Sequence, residues 1–207
     1  MSTQLSTQAI LAGLLLAATA VASLGAAPVA AAHGIAPGTA AASPSSTGPA
    51  TVWVFPVIEG YGGVHPRSDL PGVAPQVDYR VIADVTHGEK DPAQVSGGLQ
   101  RLARLVNLFA YAGVPRSHVH IAAVIEGPAG FAAFSNAAYR KRFHVDNPNL
   151  TLLHRLRQSG VELMVCSQAM AENGFEDADI SPDVRITLSA LTDFAIYGAR
   201  GYSYLQL

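Results

Sequence analysis

Short apolar segments alternate with amphipathic segments through most of this chain, and that alternation restricts the fold more than any other feature. Residues 79–85 are rich in β-branched and apolar side chains, as a strand requires, and apolar residues then recur at helical spacing between positions 99 and 109. The same order of strand and helix returns downstream. Strands joined in this way form a parallel sheet covered on both faces, so the sequence predicts a three-layer α/β/α domain.

Capping residues and glycines place the ends of these elements. Asp91 and Asn147 each precede a proline, which is typical of a helix start, and glycine is typical of a helix end. The predicted helices run from Asp91 to Gly113, from Asn147 to Gly160, from Ser167 to Asn173 and from Leu188 to Ala199. The predicted strands cover residues 51–56, 79–85, 118–125, 161–165 and 202–206, with a minor strand at 181–186. Neither a repeat nor a second domain is predicted.

The first fifty residues differ in composition from the rest, with sixteen alanines and no Asp, Glu, Lys or Arg. Residues 9–32 are almost wholly small and apolar and end in three alanines, which is typical of a secretory signal peptide. We expect residues 1–32 to be a cleaved signal peptide and the protein to be exported, periplasmic or secreted. Residues 33–50, rich in Ala, Gly, Pro, Ser and Thr, are predicted to be a flexible linker before a folded domain at 51–207.

A retained membrane anchor is the alternative interpretation of this segment. The 24 residues from Ala9 to Ala32 are long enough to span a bilayer. Alanine is only weakly hydrophobic, however, Pro28 and two glycines interrupt the segment, and no cationic residue follows it. These features favour cleavage, after which no attachment to the membrane is expected.

Charge and cysteine content exclude several functional classes. The net charge is −2 and the pI is about 6.4, so the chain lacks the basic surface that binds nucleic acids or anionic membranes. One cysteine permits neither an intramolecular disulfide nor a cysteine-rich metal site. His118 and His120 share one strand face without a third ligand, so no metal is expected. The familiar nucleotide, serine-hydrolase, zinc-protease and dithiol motifs are absent, so no cofactor is expected.

Ligands of open parallel sheets lie beyond the carboxyl ends of the strands. The candidate positions by this rule are Glu59, Gly60, Thr86, His87, Glu126 and Cys166. Cys166 is the strongest candidate because it leaves a strand and enters a helix at once. Backbone N–H groups and the positive end of the helix dipole favour the thiolate there, and the thiolate is the nucleophile. The alternative is that Cys166 is a buried, inert core residue.

Two further candidates flank the same end of the predicted sheet. His87 is suited to act as a base or to stabilise a charged sulfur, since imidazole titrates near neutral pH. Glu126, followed by Gly127 and Pro128, is expected to direct a carboxylate at the same opening. The alternative for His87 is an ordinary capping or surface residue.

Several stretches of the chain together resemble the DsrE/DsrF-like family, which has the fold of the sulfur-relay proteins. They are residues 81–86 with 99–115, residues 139–143 with 146–150, residues 160–169, and residues 188–192 with Gly201 and Tyr202. The resemblance extends over residues 51–207 and is greatest to the exported branch of the family. It implies a mostly parallel, five-stranded sheet flanked by helices. It also implies assembly into homo-oligomers, trimers or hexamers.

The resemblance further implies a role for the thiol. In the relay members, a cysteine at this strand end accepts and passes on a persulfide, and Cys166 matches its position through the run Val-Glu-Leu-Met-Val-Cys. The implied mechanism is thiolate attack on a sulfane donor, followed by attack of an acceptor thiol on the outer sulfur. The Ser167 N–H would stabilise the anion, and His87 or Glu126 would shape the opening. Sulfur donor and acceptor proteins are the expected partners.

A non-catalytic module is the alternative function. In that case the domain is an oligomeric small-ligand-binding or assembly module of the DsrE fold, and Cys166 is buried and inert. A conventional hydrolase is not expected, because no Ser/His/Asp arrangement can be placed. The Pro/Gly-rich residues 60–77 are long enough to fold over the opening as a lid, and the sequence leaves that question open.

Overall fold

The computed structural model describes residues 52–70 and 72–207. The predicted signal peptide and linker, residues 1–32 and 33–50, lie outside the described residues. The strands are β1 (Tyr79–Val85), β2 (Val119–Ile125), β3 (Glu162–Cys166), β4 (Arg185–Thr187) and β5 (Ser203–Gln206). The α-helices are α1 (Gly97–Tyr111), α2 (Asn136–Phe143), α3 (Leu150–Gln158), α4 (Ser167–Asn173) and α5 (Ala190–Ala199). Short 3₁₀ segments lie at Arg116–His118, Gly127–Ala133 and Asp177–Asp179.

The five strands form one parallel sheet in the order β4-β3-β2-β1-β5. From β1 the chain moves outward strand by strand to β4, and β5 then returns to the other side of β1. The parallel, five-stranded sheet predicted from the sequence is thereby confirmed. The return of β5 creates a reversal of strand order beside β1, and such reversals are where open α/β sheets bind ligands.

Helices cover both faces of the sheet and give the predicted three layers. On one face, which we call the α1 side, Val85 and Val165 pack with Leu102 of α1 and Leu153 of α3. The opposite face, the α5 side, carries Ile82, Val124, Met164 and Cys166 against Ala190 and Tyr197 of α5. Alternate residues of each strand point to opposite faces, so odd-numbered residues of β1 and β3 face α1 and even-numbered ones face α5. No helix in the described part of the chain is long and apolar enough to cross a bilayer.

The predicted strand at residues 51–56 is wrong. Val54 forms only an isolated antiparallel bridge with Val64, and the Trp53 side chain is half exposed. Both hydrogen-bonding edges of β1 are occupied, by β2 and β5, so the apolar segment has no place beside it. Glu59 and Gly60 consequently do not follow a strand, and the reason for treating them as site candidates falls.

The residues that follow, 57–62, are held on the surface of α1 by Asn107. Its Oδ1 accepts hydrogen bonds from the N–H groups of Val57 and Ile58. Its Nδ2 donates to the carbonyl oxygens of Ile58, Tyr61 and Gly62. A fully buried amide thus satisfies backbone groups of this irregular segment, which no strand pairs.

Helix starts are the other main correction. Helix α1 begins at Gly97, where the Ser96 side chain accepts from the Leu99 N–H, and Asp91 caps a preceding turn by accepting from Ala93. Helix α3 begins after Asn149 rather than at Asn147, which donates to backbone carbonyls of the loop after β2. A side chain able to cap a helix caps a turn equally well, and the sequence does not distinguish the two.

Candidate functional site

A cleft of about 640 Å³ opens at the carboxyl end of the sheet on the α5 side. We call it the Cys166 cleft. It is lined by Asp84, Glu126, Cys166, Gln168, Ala169, Glu172, Ser189, Ala190, Leu191, Phe194 and Tyr204. These residues come from β1, β3 and β5, from the ends of β2 and β4, and from helices α4 and α5. The cleft therefore lies where the strand ends converge, including the reversal of strand order between β1 and β5.

Strand alternation explains which side chains meet there. Asp84 is two residues after Ile82, Glu126 is two after Val124, and Cys166 is two after Met164, so all three lie on the α5 side. The Glu126 N–H donates to the Val85 carbonyl, 3.0 Å away, which continues the β1–β2 ladder and fixes the direction of the glutamate.

Cys166 ends β3 and stands directly before α4. Its side chain lines the cleft, but only 4% of the residue is exposed. Sγ accepts a hydrogen bond of 3.3 Å from the backbone N–H of Ala190, the first residue of α5. The donor is thus the start of α5 rather than the predicted Ser167, whose hydroxyl donates to the Leu188 carbonyl. An amide at a helix N-terminus is suited to stabilise negative charge on sulfur.

Asp84 is the most deeply buried acid of the cleft, with 5% of the residue exposed. Its Oδ2 accepts a hydrogen bond of 2.6 Å from the Tyr204 hydroxyl, whereas its buried Oδ1 has no partner within residues 52–70 and 72–207. Burial raises the pKa of the Asp84 carboxyl, while the Tyr204 hydrogen bond and the charge of nearby His87 act in the opposite direction. Donation to Asp84 in turn raises the pKa of Tyr204 to about 12.

Two more carboxylates face the same space. The pKa of Glu126 is raised, first by burial and then by the negative charges of Asp84 and Glu172. Glu172 lies on α4 and is exposed. No Lys or Arg is among the described residues that line the cleft. The Cys166 cleft therefore combines one thiol with a purely acidic set of charged groups.

His87 does not join this group. It is exposed, its Nδ1 lies 2.9 Å from the Thr86 Oγ1, and it lines a separate cavity of about 240 Å³ with Ser96 and Tyr139. His87 follows Val85 by two residues and so lies on the α1 side, away from the thiol. The structure brings together Cys166 and Glu126 of the predicted site residues, and it separates His87 from them.

The described residues of the segment 60–77 do not form a lid over the Cys166 cleft. None of its described residues lines the Cys166 cleft. Instead the Gly62 N–H donates to Gln100 and the Arg104 guanidinium donates to the Gly63 carbonyl, which hold the segment against α1.

Three residues that line the cleft were not predicted from the sequence: Asp84, Glu172 and Tyr204. Asp84 was open to detection, because an acid within the strand 79–85 of a sheet covered on both faces must be buried, and buried acids are uncommon outside functional sites. Glu172 and Tyr204 carry no such signal, since both belong to elements with ordinary exposed polar positions.

No metal site emerges from these groups. Within residues 52–70 and 72–207, no cluster of three or more His, Cys, Asp or Glu side chains has the spacing to hold an ion. His118, considered with His120 as a ligand pair, lies 3.9 Å from the Asp78 carboxylate at the amino end of β1.

The carboxyl-terminal half of the chain matches a known protein family. The family model described as "DsrE/DsrF-like family" matches residues 100–207, slightly more than half of the chain and four of the five strands. A solved structure of a protein of unknown function from Methanobacterium thermoautotrophicum is similar at 17% identity and a TM-score of 0.44, over 63% of this chain and 100% of that chain. No curated protein matches. From the family-model match, the chain belongs to the DsrE/DsrF-like family.

Proposed function

We propose that this protein carries sulfur as a persulfide on Cys166 and acts as a sulfur carrier or sulfurtransferase. The observation that carries the proposal is the position of Sγ, at a strand end in the wall of a cleft and hydrogen-bonded by the first N–H of α5. Membership of the DsrE/DsrF-like family supports it, because Cys166 matches the cysteine that the relay members use.

The proposed transfer has two steps. The Cys166 thiolate attacks the sulfane sulfur of a polysulfide or persulfide donor, a bond forms between the two sulfurs, and the donor leaves as a thiolate with the electron pair of its broken S–S bond. An acceptor thiolate then attacks the outer sulfur of the Cys166 persulfide. That S–S bond breaks, the Cys166 thiolate is restored, and no net oxidation occurs.

Neighbouring groups supply the environment for these steps. The Ala190 N–H stabilises the sulfur anion before attack and after release. Burial and the neighbouring acids raise the pKa of Glu126, and its carboxyl lies where it can exchange a proton with the leaving thiolate. Tyr204 fixes the orientation of Asp84 through their hydrogen bond.

Intact-mass spectrometry tests the proposal directly. After treatment with polysulfide and removal of excess reagent, we expect the protein to gain one sulfur atom, about 32 Da, and to lose it to an added thiol. The Cys166→Ser variant is the matched control and should gain nothing. A wild-type protein that stays at its original mass, while its thiol reacts normally after denaturation, would overturn the proposal. The same spectrum reports the amino terminus and so tests cleavage after residue 32.

Export and assembly form part of the proposed function. The signal-peptide pattern of residues 1–32 supports export, in which case the sulfur donor and acceptor proteins would lie outside the cytoplasm. Leu188 and Leu191 are large apolar residues exposed beside the cleft, which supports a homo-oligomer, trimer or hexamer, with this surface at the interface. We expect Leu191→Asp to lower the molar mass of the protein measured by light scattering. The control is Leu108→Asp, at an exposed position of α1, which should leave the molar mass unchanged.

The burial of Cys166 favours a second candidate function, a non-catalytic ligand-binding module. A residue that is 4% exposed has the accessibility of a core side chain. In that case the thiol would react only on denaturation, and the cleft would hold a ligand without covalent chemistry.

A further inference from the structure

Asp84 lines the Cys166 cleft, and one of its carboxylate oxygens is buried without a hydrogen-bond partner among the described residues. Only 5% of Asp84 is exposed, and its Oδ2 accepts a hydrogen bond from the Tyr204 hydroxyl. Oδ1 has no partner among the residues that the structure describes. Leaving a buried acceptor unpaired is unfavourable, and more so when the group is charged, so each such group in a native protein calls for an explanation, of which a bound ligand is one.

The surroundings of Asp84 specify the charge of that ligand. Glu126 and Glu172 line the same cleft, and no Lys or Arg among its described lining residues compensates them. The three acids lie close enough for Asp84 and Glu172 to raise the pKa of Glu126. A cleft lined by one sign of charge concentrates ligands of the opposite sign and repels ions of its own sign.

Aromatic and apolar side chains complete the cleft wall. Phe194 and Tyr204 pack edge to face, with ring centroids 5.1 Å apart, and both line the opening. Leu191 is 81% exposed at its rim. Carboxylates beside aromatic faces are the combination that binds ammonium and guanidinium groups carried on a hydrocarbon chain. A metal ion does not suit the site, because the described acids lack the spacing to share one.

We propose that the Cys166 cleft binds an organic cation, a primary ammonium or guanidinium on a short carbon chain, whose N–H groups reach Asp84. Such a ligand would bind whether or not Cys166 transfers sulfur. If sulfur transfer does occur, the cation is the part of the donor or acceptor that the protein recognises, and small anionic donors such as polysulfide should load Cys166 more slowly than cationic ones.

Thermal unfolding with three isosteric probes tests the binding site alone. We expect n-butylammonium, at a concentration several times its Kd and at constant ionic strength, to raise Tm by about 2 °C or more, because it binds only the folded protein. Butyrate and 1-butanol should not. The rise should disappear in Asp84→Asn. It should shrink in Glu172→Gln, and because Glu172 is exposed, that substitution should not disturb folding. Asp78→Asn, at the opposite end of β1, is the matched control and should respond as wild type. Equal shifts for all three probes, or an unchanged rise in Asp84→Asn, would overturn the proposal.

Charge-paired thiol reagents separate this proposal from the sulfur-carrier function. Methanethiosulfonates bearing an ammonium, a hydroxyl or a sulfonate report access to Cys166, with each rate divided by that of the unfolded chain. We expect the ammonium reagent to exceed the sulfonate reagent by about tenfold, and the ratio to approach one at high salt. If the hydroxyl reagent reacts and the ratio stays near one, the cation site fails and the carrier function stands. If no reagent reacts, the carrier function fails, and the unfolding experiment alone decides the cation site.

Discussion

The two sides of the sheet have opposite chemistry. On the α1 side the core is apolar, and its buried amide, Asn107, uses both ends of its side chain in hydrogen bonds. On the α5 side, two buried carboxylates, Asp84 and Asp193, each leave one oxygen without a partner among the described residues. Cys166 lies on that second side. The difference indicates that the α1 side supplies stability, whereas the α5 side retains unfavourable groups that serve a ligand or a reaction.

The largest expected effect tests the stabilising role of the α1 side. Leu102→Ala removes a fully buried side chain of α1 and should lower the free energy of unfolding by about 2–5 kcal/mol, through lost burial and the cavity left behind. Ile196→Ala, a truncation at an exposed position of α5 outside the cleft, should stay within about 1 kcal/mol of wild type. Chemical denaturation measures both. Similar losses in the two variants would contradict the division.

The next effect concerns Asn107. Asn107→Ala leaves the Val57 and Ile58 N–H groups and three carbonyl oxygens without their partner, so we expect a loss of about 2 kcal/mol or more. The segment 57–62 should also become sensitive to protease, since this side chain holds it on α1. Limited proteolysis followed by mass spectrometry checks the result, with Asn173→Ala, at the end of α4, as the control. Unchanged cleavage in Asn107→Ala would show that other contacts hold the segment.

A smaller, pH-dependent effect is expected at Glu126. Its pKa is raised in the folded state, so the folded protein binds a proton at Glu126 more tightly than the unfolded chain does. This group therefore favours the folded state fully below its ordinary pKa, and the contribution is lost as pH rises through the raised value. Glu126→Gln should raise stability at pH 7 relative to wild type, by less than about 1 kcal/mol, and the gain should fall toward pH 4. Thermal unfolding at both pH values measures it, and a gain that grows on acidification would contradict the assignment.

The smallest effect is expected at His87, which lies on the α1 side. His87→Ala should change the alkylation rate of Cys166 by no more than about twofold, because the side chain is exposed and lines a separate cavity, and solvent and salt screen its effect on the thiol. A much larger change would place His87 in the working site after all.

The sequence predicted the fold well because its periodicity is strong where packing is strong. The run 79–85 and the run that ends at Cys166 are mostly apolar strands with four buried residues each at their carboxyl ends, and α4 follows at the predicted residue. The failures are local. Residues 51–56 have the side chains of a strand, but a strand also needs a free neighbouring edge, which depends on the return of β5. Asp91 and Asn147 have capping side chains, but their partners are decided by chain geometry.

The site was predictable only in part, for a related reason. Cys166 and Glu126 were found because they follow strands, and strand ends converge in any parallel sheet. His87 satisfied the same rule yet lies on the wrong side, because the rule ignores which face a residue takes. Asp84 and Tyr204 meet through the pairing of β1 with β5, a contact across most of the chain that no local pattern reveals.

The reactivity of Cys166 in the folded protein tests the account most directly. We expect iodoacetamide, a neutral reagent, to alkylate the native thiol at a rate at least comparable with that of the unfolded chain near neutral pH, because the cleft admits it and the Ala190 N–H stabilises the sulfur anion. A native thiol that does not react until denaturant unfolds the domain would show that Cys166 is only a core residue, and the sulfur-carrier function would be lost.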